Sequence, residues 1–210
     1  MSKISGDLTG KFLIAMPGMG DPRFEGAVIY LCDYSDDGAM GLIVNKPVQD
    51  PNFDQLCEHL LVTKTAHAPV DVVYGGPVEQ KRGFVLHSSD YKPDEEGRIL
   101  GHDLAMSTTL SVIEDLARGQ GPDRAMIAMG CAGWSAGQLD QEIEQNTWMI
   151  CDGDHDLIFS RDFDNQWTTA LVRAGSMRAY LSLRWGQPNR VGLPRVSVDH
   201  LSQLQSHDLG

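Results

Sequence analysis

One stretch limits the fold more than any other: AVIYLCDYSDDGAMGLIVNKP, residues 27–47. Two apolar runs, 27–32 and 39–45, flank Ser35, Asp36, Asp37 and Gly38. Asp and Gly tolerate the positive φ angles of a tight reversal, so the runs are expected to pair as an antiparallel hairpin that ends at Pro47. An earlier apolar run, 11–16, stops at Pro17 and opens a Gly- and Pro-rich loop, PGMGDPRFEG. DVVYGGP and RGFVLHS read as two further strands joined by a Gly-Pro turn, and RAMIAM as a buried strand. Helices are expected over NFDQLCEHLL, with Asn52 as N-cap, and over STTLSVIEDLARG, closed by Gly119. Later come a helix after Ser135, a strand at 148–151, a strand at 157–160 and a helix at 164–173. Residues 90–101 read as a polar loop. Hairpins early and helices late favour an α+β fold with a mixed sheet over a regular doubly wound one.

Charge limits the partners. The chain has 210 residues and a formal net charge of −12. A strongly negative protein repels phosphate backbones unless it keeps a local basic patch, so specific DNA binding is not expected. No helix-turn-helix or basic recognition helix is visible. The N-terminus lacks an apolar leader, and no run approaches the length of a membrane span. The four cysteines, Cys32, Cys57, Cys131 and Cys151, form no C-x-x-C pair and read as reduced thiols. The expected compartment is the cytoplasm.

GWSAG, at 133–137, matches G-x-S-x-G, the serine-nucleophile pattern of α/β-hydrolases. A strand runs into it and a helix follows. Asp152, Asp154, Asp156 or Asp164, with His155, His200 or His207, would complete a triad. The competing reading is structural. Ser135 and Gln138 form S-x-x-Q, a capping box at a helix start, and no HGGG-type oxyanion segment precedes them. That reading makes Ser135 the N-cap. Cys131 would be reactive only if its pKa were lowered. No metal or cofactor site is expected. DGDHDL departs from a calcium loop at Leu157 and Phe163, and GMG lacks the third glycine of a dinucleotide fingerprint, since Arg23 stands there. His87 ends an apolar strand, where a satisfied structural histidine is the commoner case.

Single motifs are weak, but their order is specific. MPGMGDPRF, NKP, YGGPVEQKRGFVLHS and GCAGWSAGQLDQEIEQNTWM follow one another over residues 10–188. The chain resembles the bacterial YqgE/AlgH family, whose pattern M-P-x-x-x-D-P-x-F … N-[RK]-P is matched by Met16, Pro17, Asp21, Pro22, Phe24, Asn45, Lys46 and Pro47. The later block G-x-A-G-W-x-x-G-Q-L-x-x-E-I-x-x-N-x-W is matched by Gly130, Ala132, Gly133, Trp134, Gly137, Gln138, Leu139, Glu142, Ile143, Asn146 and Trp148. Ser135 and Cys131 fall on unspecified positions of that pattern. The resemblance implies a single α+β domain over residues 1–188 with a branched, partly barrel-like mixed sheet flanked by helices. Met177 and Arg178 depart from the family's usual Asp-Pro, and residues 189–210 read as a loosely ordered tail.

Three functional readings follow. The first is a cytosolic protein that acts by binding a protein or ligand; the AlgH name implies a part in transcriptional regulation. The second is a serine or thiol hydrolase using Ser135 or Cys131. The third is a small-ligand pocket lined by Asn45, Gly75, Gly76, His87, Gly133 and Trp134, where turn glycines present backbone N–H groups to an anion.

Overall fold

A computed structural model describes residues 6–66, 69–92, 97–101 and 103–175. They belong to one compact unit, Met1–Met177; Arg178–Gly210 lies outside them, and so do the expected boundary near Pro188 and the tail beyond it. The fold is α+β, a single domain with a curled half-barrel sheet and flanking helices. Among the described residues nine strands form that sheet: β1 (Lys11–Ala15), β2 (Val28–Ser35), β3 (Gly38–Ile43), β4 (Asp71–Tyr74), β5 (Val78–Ser88), β6 (Arg98–Ile99), β7 (Leu104–Ser107), β8 (Ala125–Ser135) and β9 (Trp148–Asp152). The path runs β6-β7-β5-β8-β3-β2-β1-β9, with β4 off it.

The hairpin forms as its turn residues dictate. Ser35 pairs with Gly38 across Asp36 and Asp37, and Gly38 takes a φ of 143°. A bulge between Leu31 and Asp33 adds curvature. The branch sits on β8. One edge of β8 pairs antiparallel with β5. The other pairs parallel with β4 over residues 126–129, then antiparallel with β3 over residues 132–135. Gly75 bridges the two: its N–H donates to the Met129 carbonyl at 2.8 Å, and its carbonyl accepts from Ile43 N–H at 2.9 Å. The sheet curls until its edge strand approaches β2. Tyr30 Oη donates to the Leu100 carbonyl at 3.1 Å, and Arg98 pairs with Asp33.

Among the described residues five helices pack on this frame: α1 (Phe53–His59), α2 (Leu110–Arg118), α3 (Gln138–Glu144), α4 (His155–Ile158) and α5 (Phe163–Arg173). Asn52 caps α1 in a full capping box with Gln55, and Gly119 ends α2 in the left-handed region at φ 73°. One core cluster joins Phe53, Leu56, Val85, Val112, Leu116 and Ile127. A second, around Leu13, Ile29, Leu31, Ile43, Trp134, Leu139 and Trp148, underlies the face described next.

Four local expectations need correction. The strand expected at 157–160 does not form; its first two residues end helix α4, because the Asp154 carboxylate accepts from the Asp156 and Leu157 N–H groups and caps a helical turn. A short apolar run cannot by itself separate strand from helix. The polar loop at 90–101 contains β6, and Ser107 closes β7 rather than opening a helix. Ser135 is not the N-cap of α3; that position is Gly137, at φ 71°.

Candidate functional site

Three of the motifs, MPGMGDPRF, NKP and GCAGWSAGQLDQEIEQNTWM, meet at the end of the sheet where β1 turns back to β2. There the loop of residues 16–26 leaves β1 and returns to β2, and each turn of it is tied down. Asn45, just after β3 and 8% exposed, accepts from Val28 N–H with Oδ1 at 2.8 Å and donates from Nδ2 to the Gly26 carbonyl at 2.8 Å. Lys46 Nζ donates to the Arg23 carbonyl at 2.8 Å. Asp21 accepts from its neighbour Arg23 through the backbone N–H, Nε and Nη2. The Phe24 ring stands edge-on to Trp148, centroids 5.6 Å apart, and Met16 N–H donates to the Thr147 carbonyl. The exposed loop is therefore held from below by a buried amide and a buried indole.

Beneath it, one carboxylate serves two tryptophans. Trp134 and Trp148 lie edge to face at 5.9 Å. Glu142 Oε2 accepts both indole N–H groups, at 2.9 Å and 2.7 Å, while Oε1 accepts from Gln138 Nε2 at 2.9 Å. Gln138 Oε1 in turn accepts the Ser135 backbone N–H at 3.0 Å. The later family block is thus a hydrogen-bonded brace joining β8, α3 and β9.

That brace retains half of the capping box expected at Ser135. Gln138 reaches back to Ser135 N–H, but the Ser135 hydroxyl accepts nothing from the helix start, because β8 continues through Ser135, which pairs with Gly38. Among the described residues no histidine hydrogen-bonds that hydroxyl; His200 and His207 lie outside them. Ser135→Ala is therefore expected to change stability by less than about 0.5 kcal/mol, as an exposed side chain without a partner among the described residues should. Urea denaturation checks this. Cys131 is buried, and burial pushes its thiol pKa up, with Glu79 adding to the shift. That is opposite to what a thiolate nucleophile needs.

The six residues expected to line a pocket fall into separate places. Asn45, Gly75 and Gly76 lie around the branch of the sheet, with the Asn45 side chain and the Gly75 backbone already bonded internally, and Gly133 and Trp134 lie further along β8, paired with Met40 and Ala39. Gly76 packs against the Cys131 backbone. His87 lies at the far end of β8: it pairs with Ala125, eight residues from Gly133, a separation of about 26 Å along an extended strand.

His87 is 0% exposed and internally satisfied. A carbonyl can only accept, so Nδ1–H donates to the Ser88 carbonyl at 2.9 Å and Nε2 accepts the Ser107 hydroxyl at 2.9 Å. Burial lowers the His87 pKa, against smaller opposing effects of the Ser88 bond and Asp90. The sign follows from linkage. The imidazole is neutral in both states above the ordinary value of 6.5, so it gives no pH dependence there. Below that value the unfolded chain binds the proton first, and stability falls toward the lowered folded pKa. The urea midpoint is expected to drop between pH 7.5 and 5.5, and to drop less in His87→Gln.

The chemistry left exposed at the motif end belongs to residues outside that set. Lys46 is half-buried, and desolvation lowers its pKa against the pull of Glu25 and Asp21. Tyr74 lies alongside: its N–H donates to the Lys46 carbonyl at 2.8 Å, and burial raises its phenol pKa, opposed by Arg23 and a Gln80 hydrogen bond. Lys46 and Phe24 were visible in the sequence as motif positions. Arg23 fell on an unspecified position of its motif and Tyr74 opened another with no role attached to it.

No helix among the described residues is long and apolar enough to cross a membrane. The AlgH-like family model matches residues 12–179. A UPF0301 protein from Jannaschia sp. (strain CCS1) is 49% identical over 83% of this chain and 92% of its own length. One from Ruegeria pomeroyi is 48% identical over 86% of this chain and 98% of its own. The solution structure of the AlgH protein from Pseudomonas aeruginosa superposes with a TM-score of 0.70 at 35% identity, covering 91% of this chain and all of the other. A crystal structure from Corynebacterium diphtheriae, at 21% identity and a TM-score of 0.66, shares the fold over 82% of this chain and 90% of that one. With motif order, family match and fold in agreement, the chain belongs to the AlgH-like family.

Proposed function

We propose that the protein acts by binding, in the cytoplasm, through the face formed by residues 16–26, Lys46 and Tyr74. One observation carries this reading: an exposed loop is held rigid by anchors that are themselves buried, Asn45 and Trp148. Fixing a recognition surface before contact removes much of the ordering cost of association. Loops on rigid scaffolds are where binding residues concentrate. A regulatory role, as the AlgH name suggests, would run through contact with a protein or a small ligand, because a net charge of −12 opposes duplex DNA.

The test compares what co-purifies from native lysate with the wild type and with Met19→Asp/Arg23→Glu. Among the described residues the Arg23 side chain hydrogen-bonds only to Asp21, whereas Met19 packs partly buried against the core around Trp148, so Arg23→Glu alone, expected to fold normally, is run beside the double variant. Loss of proteins or small molecules from the wild-type set, at unchanged melting temperature, supports the reading. An identical set from both proteins overturns it.

A further inference from the structure

We propose that a cleft at the start of β8 is a binding site for a small, uncharged, planar molecule of about two fused rings. It lies at the far end of β8 from Trp134 and is separate from the loop face described above.

The cleft has a volume of about 290 Å³ and opens between the starts of β4 and β8, the last turn of α2 and the turn from α4 to α5. A cavity of ~150 Å³ takes one benzene ring, so this one has room for a second. Its floor is core: Leu116, Met126 and Ile158 line it and all three are buried. Phe159 and Phe163, both half-buried, bring aromatic rings to it from the α4–α5 turn, and Val70 comes from the segment before β4. Rings over an apolar floor suit a planar ligand, which can bury both of its faces. Met126 is unbranched and flexible, so the floor can adapt to an irregular outline.

The walls are set before a ligand arrives. Arg161 ties the α4–α5 turn to β4: its Nε donates to Asp71 at 2.8 Å and its Nη2 to the Pro69 carbonyl at 2.7 Å. Arg124 lies over the Phe159 ring, 4.8 Å from its centroid, and donates to Asp156 at 2.8 Å. Gln166, buried one helical turn after Phe163, donates to the Leu157 carbonyl at 2.6 Å and holds the turn from behind. Walls fixed in this way lower the ordering cost of binding. The same pairs set the charge of the ligand. Both lining arginines already face an aspartate, Arg161 with Asp71 and Arg124 with Asp156, and Asp123 adds one more carboxylate to the lining. An anionic ligand would meet Asp71 and Asp123 and could gain an arginine only by competing with its aspartate, so an uncharged ring is preferred.

The experiment titrates the full chain with indole and follows backbone amides by NMR. Indole-3-acetate, the same ring with a carboxylate, forms a parallel arm at equal ionic strength. The expected result is saturable shifts centred on the amides of Met126, Ser160 and Arg161, with a dissociation constant on the order of a millimolar for so small a ligand. Indole-3-acetate should bind about fivefold more weakly or worse. Ala125→Met lengthens a lining side chain at the strand start and should weaken indole binding about tenfold at an unchanged melting temperature. Ser160→Phe fills the cleft from the α4–α5 turn and keeps the test open if Ala125→Met folds poorly. Phe163→Leu keeps the bulk but not the ring, and should weaken binding several-fold. Preference for indole over its acetate, with binding lost in either filled variant that keeps the wild-type melting temperature, supports the site. Linear drift without saturation, saturation centred on other residues, undiminished binding in the filled variants, or equal binding of indole-3-acetate overturns it.

Discussion

Gly76→Ala is expected to leave little or no folded protein. A Cβ at that position would stand 2.2 Å from the Cys131 carbonyl carbon and 2.4 Å from the Ala132 nitrogen. Both are backbone atoms of β8, the strand on which the sheet branches, so neither yields without moving three pairing partners. The residue also has a φ of 153°, which side-chain-bearing residues rarely adopt. Overpacking costs 1–3 kcal/mol and a forbidden φ adds a comparable strain, so the sum is about 4 kcal/mol or more. That is a large fraction of the 5–15 kcal/mol typical of a whole domain. Gly133→Ala is the matched control. It lies three residues further along β8 from Gly130, and its Cβ would meet only Val78 Cγ2, at 3.9 Å. Soluble expression and circular dichroism should separate the two: Gly133→Ala folded, Gly76→Ala aggregated or unfolded. Folded Gly76→Ala with wild-type stability would show that the branch can open.

The same glycines mark where the sequence stopped being legible. Local chemistry read well. The Asp36-Asp37 reversal, the Asn52 cap and the Gly119 stop all stand where turn and capping residues put them, because each depends on neighbours a few positions away. The branch did not read, because the parallel pairing of β4 with β8 joins residues more than fifty positions apart, and nothing in DVVYGGP records it. Gly75 and Gly76 looked like turn glycines with N–H groups to offer; in the fold they are glycines because two backbones meet there. His87 looked like a histidine at a strand end, and its burial depends on β7 and Ser107, which fell in a stretch with no strand signal. The motif positions themselves were visible, but not what they do. Asn45 and Lys46 grip a loop some twenty residues earlier, and Glu142 serves two indoles on different strands.

Glu142 gives the second large effect. Trp134 and Trp148 are 7% and 4% exposed, and both donate to a single carboxylate oxygen. An indole N–H has no alternative partner once that oxygen is gone. Glu142→Ala therefore orphans two donors, at 1–3 kcal/mol each, and the expected loss is about 3 kcal/mol. For a domain of this size that is a fall of about 6–12 °C in melting temperature. Glu142→Gln keeps an acceptor oxygen and should lose roughly half as much. Reduced stability alone would not separate the hydrogen bonds from lost packing, and a double-mutant cycle does. Trp148→Phe removes one of the two donors, so in that background Glu142→Ala strands only Trp134. The combined loss is expected to fall short of the sum of the single losses by about 1 kcal/mol. Strict additivity would mean that the carboxylate contributes by charge or packing rather than by holding the indoles. The brace would then no longer explain why a glutamate stands between two tryptophans, or how Trp148 keeps Phe24 and its loop in place.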